Sequence, residues 1–187
     1  MKDLRAAHLL LVAILILLSA CSQKAGEKIT TTTTDTTSFT VKAGNTDLTD
    51  TLKKNEGVNS VAKKDDSSLF QSIIADENVT IPYVKIGEVV SINFGEIPPD
   101  QFVLYDYVLN EDGSIKFSSL ATETVPIHVS DNVGTFKLNE NLSSNFSSNS
   151  KDYEPGNLLR GFRLITTFGD KQQEYVFVIK SDALKVE

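Results

Sequence analysis

Residues 158–181 read LLRGFRLITTFGDKQQEYVFVIKS. Two runs rich in Val, Ile, Leu, Phe, Tyr and Thr flank Gly169-Asp170-Lys171. β-Branched and aromatic runs around turn residues predict two strands joined by a hairpin, and the glycine supplies the backbone freedom such a connection needs. Side chains alternate along a strand, so Tyr175, Phe177 and Ile179 share one face. The same texture extends back to Val79, through VTIPYVKI, EVVSINF, QFVLYDYVLN, SIKFSS, TVPIHV and GTFKL. Val90, Ile92 and Phe94 point one way, Ser91 and Asn93 the other. Asn110-Glu111-Asp112-Gly113 marks a second turn, and Pro98-Pro99-Asp100 stops the ladder before a strand that begins near Gln101. Residues 79–187 therefore predict an all-β domain.

Seven to eight strands in about 100 residues fit an immunoglobulin-like antiparallel β-sandwich, although the region holds neither Trp nor Cys. A small antiparallel barrel has the same strand count. The stretches IPPDQFVLYDYVLNEDGSIKF and RGFRLITTFGDKQQEYVFVIK resemble sandwich domains of bacterial surface lipoproteins, over roughly residues 79–182. The resemblance implies a fold and brings no site residues with it.

The N-terminus reads as an export signal. Lys2 and Arg5 precede an unbroken apolar run from Leu9 to Leu18, followed by Ser19-Ala20-Cys21. Ten residues of helix rise about 15 Å, half the hydrocarbon thickness a spanning helix must cover. Cys21 is the only cysteine in the chain. Leu18-Ser19-Ala20-Cys21 resembles the lipobox of bacterial lipoproteins, which implies cleavage of residues 1–20 and a diacylglyceryl group on the Cys21 thiol. Two lipid signals hold a protein on a membrane where one acyl chain does so only marginally. Residues 21–78 then form the lipidated cysteine and a mostly disordered tether, with SFTVK (38–42) as a short strand and short helices beyond it in the alternative. SQKAGEKITTTTTDTT (22–37) has too little apolar surface to fold. Gly57 and the charged run Lys63 to Asp66 interrupt the helical spacing of Leu48 and Leu52.

Composition excludes several functions. The chain carries a formal charge of −7, and loss of Lys2, Arg5 and Asp3 with residues 1–20 would make it −8. That balance opposes electrostatic binding to nucleic acid or to an anionic surface. Ser60-Val61-Ala62-Lys63 matches S-x-x-K and Ser130-Asp131-Asn132 matches S-D-N of penicillin-binding enzymes. No K-T-G or K-S-G follows Asn132, and Ser-Asp-Asn reads more simply as a turn. After position 20 His128 is the only histidine, so a zinc site would need three carboxylates beside it. Asn110 to Gly113 matches the end of a calcium loop, but Val108 stands where the first carboxylate belongs. No cofactor or metal is expected. Any general base would be a carboxylate, lysine or tyrosine, and no catalytic residue stands out.

Arg160 and Arg163 are the only arginines after position 20, and their odd separation places them on opposite faces of a strand. Asp106 lies in an otherwise apolar run, where an unpaired carboxylate is costly. One of the arginines is expected to pair with Asp106 or Glu174 as a structural device. In the long connection 139–156, Leu138, Leu142 and Phe146 are spaced by four. That spacing predicts a short helical crossover covering the core, with Phe146 and Tyr153 as exposed partner anchors in the alternative. The expected role is a non-enzymatic binding module on the extracytoplasmic face of the cell membrane, anchored through Cys21. Its expected partner is an envelope protein or wall polymer. An accessory or inhibitor of a neighbouring envelope enzyme is the second reading, and a small carboxylate-dependent hydrolase the third.

Overall fold

The structure, a computed structural model, describes residues 39–55, 67–117 and 121–184. Cys21, the Thr-rich segment 22–37 and the Ser60/Lys63 pair lie outside the described residues. Ten strands and one α-helix are present among them: β1 (Thr40–Ala43), β2 (Thr46–Asp47), β3 (Lys53–Lys54), α1 (Ser68–Ile74), β4 (Val89–Asn93), β5 (Gln101–Val108), β6 (Glu123–Val125), β7 (His128–Ser130), β8 (Val133–Lys137), β9 (Leu158–Phe168) and β10 (Lys171–Ser181). They make two five-stranded antiparallel sheets, ordered β2-β1-β4-β8-β7 and β3-β10-β9-β5-β6. The described residues form an all-β sandwich.

The hairpin of residues 158–181 is the spine of the second sheet, with β9 and β10 paired along eleven residues from Lys171↔Phe168 to Ser181↔Leu158. Gly169 sits at φ 55° in its connection, the left-handed conformation a tight II′ turn demands of its first central residue. Tyr175, Phe177 and Ile179 face the first sheet, where Val41, Val90, Ile92, Phe94 and Phe136 meet them. Phe162 stacks on Phe177 at 4.8 Å and Phe39 on Tyr175 at 3.9 Å. At the β7–β8 hairpin, Asp131 (φ 48°) and Asn132 (φ 65°) are both left-handed, the signature of a two-residue I′ turn. Ser130-Asp131-Asn132 is therefore a turn.

The strand inventory differs from the expectation at three places, each for a physical reason. TVPIHV is two strands, because Pro126 has no N–H to donate: β6 pairs with β5 in one sheet and β7 with β8 in the other. Among the described residues of SIKFSS, Ile115 pairs with Leu109 through an isolated bridge and no strand forms. VTIPYVKI contributes extended backbone beside β10, where Lys180 N donates to Pro82 O and Val84 N donates to Lys180 O.

The expectation of a mostly disordered segment over 38–78 is overturned wherever that segment is described. β1 pairs with β4 from Thr40↔Asn93 to Ala43↔Val90, and Val41, Ala43 and Leu48 are core residues. The sandwich begins at Phe39, not at Val79. Further along, α1 lays Phe70 and Ile73 on the outer face of the second sheet, against Tyr107, Leu109, Val176 and Val178. Both faces of β10 are consequently dry from Tyr175 to Ile179, and the sequence there is apolar at odd and even positions alike. Gly161 permits this packing, since a Cβ there would lie 2.9 Å from both Leu109 Cδ1 and Phe70 Cε1.

The two ends of the sandwich differ in character. One end carries Phe39, where the chain enters, together with the Asp131-Asn132 and Gly169-Asp170 turns. The other end, about 35 Å away along β9, carries the Asn110–Gly113 turn, the connection 139–157 and the exit of β10.

Candidate functional site

The end far from Phe39 holds a basin of about 570 Å³. Its floor follows from strand register. Leu109 N donates to Leu159 O, and Leu159 pairs with Lys180, so Leu109, Leu159 and Lys180 form a row across β5, β9 and β10 on the outer face of the sheet. α1 covers Val176 and Val178 on this face. Lys180, two residues further along the same face, lines the basin.

One wall is the turn after β5. Gly113 takes φ 81° and lies so close to α1 that a Cβ would be 2.8 Å from the Gln71 backbone. Asn110 Nδ2 donates to Ser114 Oγ at 2.9 Å, and Ser114 donates from both its N–H and its hydroxyl to Asp112 Oδ1. Those bonds hold the exposed Asp112 carboxyl below the ordinary carboxylate range.

The other wall comes from the connection between β8 and β9. Asp152, buried, accepts from Lys116 Nζ, Ser147 Oγ and Asn149 Nδ2. Asn157 Nδ2 donates to Lys151 O at 2.9 Å, and Lys151 Nζ lies 3.7 Å from Glu111 Oε1 across the rim. Lys180 has no acidic partner among the described residues.

This connection is not the apolar crossover expected of it. It forms two 3₁₀ turns, Leu142–Phe146 and Ser150–Tyr153. With three residues per turn, a spacing of four does not stay on one side. Leu138 is in the core, but Leu142 and Phe146 are 65 % and 75 % exposed. Polar groups turn inward in their place. Ser143 Oγ donates to Ala121 O, Ser144 Oγ to Ala183 O, and Asn141 Oδ1 accepts from Ser143 N. Tyr153, itself exposed, shares its one hydroxyl proton between Ser144 O and Ser147 O. Of the two candidate anchors, then, both are exposed and neither lines the basin.

Behind the basin, Arg160 donates from Nε and Nη2 to the two oxygens of Asp106, and from Nη1 to Asn139 O at 2.7 Å. On the other face Arg163 Nε is 2.9 Å from Glu174 Oε1, with its guanidinium over the rings of Phe70 and Tyr107. Both arginines are thus paired, one on each face of β9, and both are buried.

Glu123 sits opposite Asp106 in the β5–β6 pairing and accepts from Leu142 N at 2.6 Å. Burial pushes its carboxyl above 4.5, and the charge of Asp106 adds to the effect against the Leu142 hydrogen bond. A carboxyl that binds its proton more tightly when folded penalises the fold above that raised value. The penalty disappears as pH falls to the unfolded value. Glu123→Gln keeps the acceptor and loses the charge. It is expected to raise the unfolding midpoint at pH 7, with the gain vanishing as pH approaches 4.5, as thermal melts across that range would show.

Missed in the sequence were the lysines and amides of this basin. Asn110 to Gly113 read as a turn, which it is, and the one available hint was Lys180, the charged break in the outer-face series Val176, Val178, Lys180. His128 is exposed on β7. Among the described residues no three His, Cys, Asp or Glu side chains gather in a way that holds a metal ion, and no helix is long and apolar enough to cross a membrane. No known protein-family model matches the chain, and neither does any curated protein sequence.

Proposed function

We propose that the protein is a lipid-anchored binding module on the extracytoplasmic face of a bacterial membrane, with the polar basin as its binding site and a wall polymer as its partner. The anchor in this reading is Cys21, with residues 22–38 as the tether. The observation that carries the proposal is the position of the basin. It opens at the end of the sandwich opposite Phe39, about 35 Å from the point where the described chain enters. Its volume falls within the range of small-ligand sites, and its amides are held in fixed orientations before any ligand arrives.

The test uses the full chain in native membranes and in detergent. Intact mass of the native protein is expected to show an acylated Cys21 as first residue, and Cys21→Ser is expected to release the protein from the membrane fraction. The detergent-solubilised chain should sediment saturably with insoluble wall polymer, without consuming it. Lys151→Trp, a bulky change at an exposed lining position, should abolish that retention. Turnover of the polymer, or retention indifferent to Lys151→Trp, sinks the proposal. The exposed Leu142 and Phe146 favour a second reading as an accessory to a neighbouring envelope protein. In that case Phe146→Ser, and not Lys151→Trp, removes the interaction.

A further inference from the structure

We infer that Lys180 is the residue that reads the ligand's charge, and that the ligand is a hydroxyl-rich oligomer bearing one anionic group, a carboxylate or a phosphodiester, on the segment that enters the basin. This rests on the basin being the binding site and names the chemistry it accepts.

The charges in the basin are not equivalent. Lys116 is committed to Asp152, and Lys151 lies beside Glu111. Lys180 is the lining cation without an acidic partner among the described residues, and it is partly buried beside Leu109 and Leu159. Asp112, the lining acid without a cation, is exposed and hydrogen-bonded to Ser114. Water and salt screen an exposed carboxylate far more than an ammonium on an apolar floor. The field felt by a bound ligand at the floor is therefore positive, while the rim with Glu111 and Asp112 and the formal charge of −7 repel a densely anionic chain. One anion fits this pattern, and a string of them does not.

The walls specify the rest of the ligand. Asn110, Asn149 and Asn157 each spend one N–H on an internal acceptor, which fixes the plane of each amide. An amide carries two donors and a carbonyl, and a fixed amide that keeps a free donor or acceptor matches hydroxyl groups, which both donate and accept. The walls offer no aromatic ring among the lining residues, so recognition runs through hydrogen bonds and charge.

The experiment is calorimetric titration of the full detergent-solubilised chain with three probes: chitotetraose carrying a single carboxylate (its aldonic acid), chitotetraose carrying a single glycerol phosphodiester, and neutral chitotetraose. At least one anionic probe is expected to bind about tenfold tighter than chitotetraose, the scale of one charge-assisted hydrogen bond, and to weaken with salt. Lys180→Met should erase the ratio between anionic and neutral probes and melt like the native chain, and Lys180→Arg should restore that ratio. Which anionic probe wins tells carboxylate from phosphodiester. Equal affinity for the neutral and anionic probes, or an unchanged ratio in Lys180→Met, overturns the inference. So does silence from all three probes while Lys151→Trp still abolishes retention on wall polymer, an outcome that leaves the basin standing as the site. Loss of the basin reading itself is registered separately, by retention that ignores Lys151→Trp.

Discussion

Phe70→Ala is expected to destabilise the protein by about 3–5 kcal/mol, the cost of truncating a fully buried aromatic side chain. The ring is completely buried, packs 5.8 Å from Tyr107, lies beneath the Arg163 guanidinium and closes over Gly161. Phe70 is the larger of the two fully buried side chains of α1, the other being Ile73. Truncation therefore opens a cavity between helix and sheet, and the seven-residue helix has no stability of its own to hold it in place. Urea unfolding followed by circular dichroism measures the loss, and limited proteolysis should cut residues 67–78 in the variant before the native chain is touched. A loss below about 1 kcal/mol would mean that α1 does not belong to the fold.

The second large effect is expected at Arg160. Arg160→Met leaves Asp106 buried at 1 % exposure without its partner and removes the bond to Asn139 O, which ties the start of the connection 139–157 to the sheet. Breaking a buried ion pair from one side costs about 3–5 kcal/mol, whereas replacing both partners by apolar groups of similar size is often neutral. Asp106→Leu combined with Arg160→Met should therefore recover most of the loss. The difference between single and double variants, read from denaturant midpoints at constant slope, isolates the cost of the orphaned carboxylate. A double variant as unstable as the single one would show that the arginine acts through Asn139 instead. The same connection supplies Asn149, Lys151, Asp152 and Asn157 to the basin, so the ion pair supports the candidate site without touching its ligand.

The core sheet was legible because alternation is a local code. Val90, Ile92 and Phe94 face the core, as do Tyr175, Phe177 and Ile179, and all six are buried. That one of Arg160 and Arg163 pairs with Asp106 or Glu174 was also legible, since a charge inside an apolar strand leaves few alternatives to a buried partner; that both arginines do so was decided by the fold. The connection 139–157 was misread because its folding is driven by serine, asparagine and aspartate bonds to distant carbonyls and cations. A periodicity of apolar residues does not report those bonds. Beyond the short strand that SFTVK offered as an alternative, residues 43–54 were misread for a related reason. Strands of two to four residues are too short to show a period, and they form on the edges of longer neighbours: β1 on β4, β2 on β1 and β3 on β10.

By itself, the order of amino acids determined the class of fold, the position of the central hairpin and its turn, and the faces that meet in the core. Each depends on neighbours within a few positions along one strand. Only the tertiary structure decided that the sandwich starts at Phe39, that α1 seals the outer face of the second sheet, and that Lys180 lines a basin with Asn110 and Asn157. These residues are brought together from opposite parts of the chain by strand register and side-chain hydrogen bonds, and no local pattern encodes a meeting between positions 110, 157 and 180.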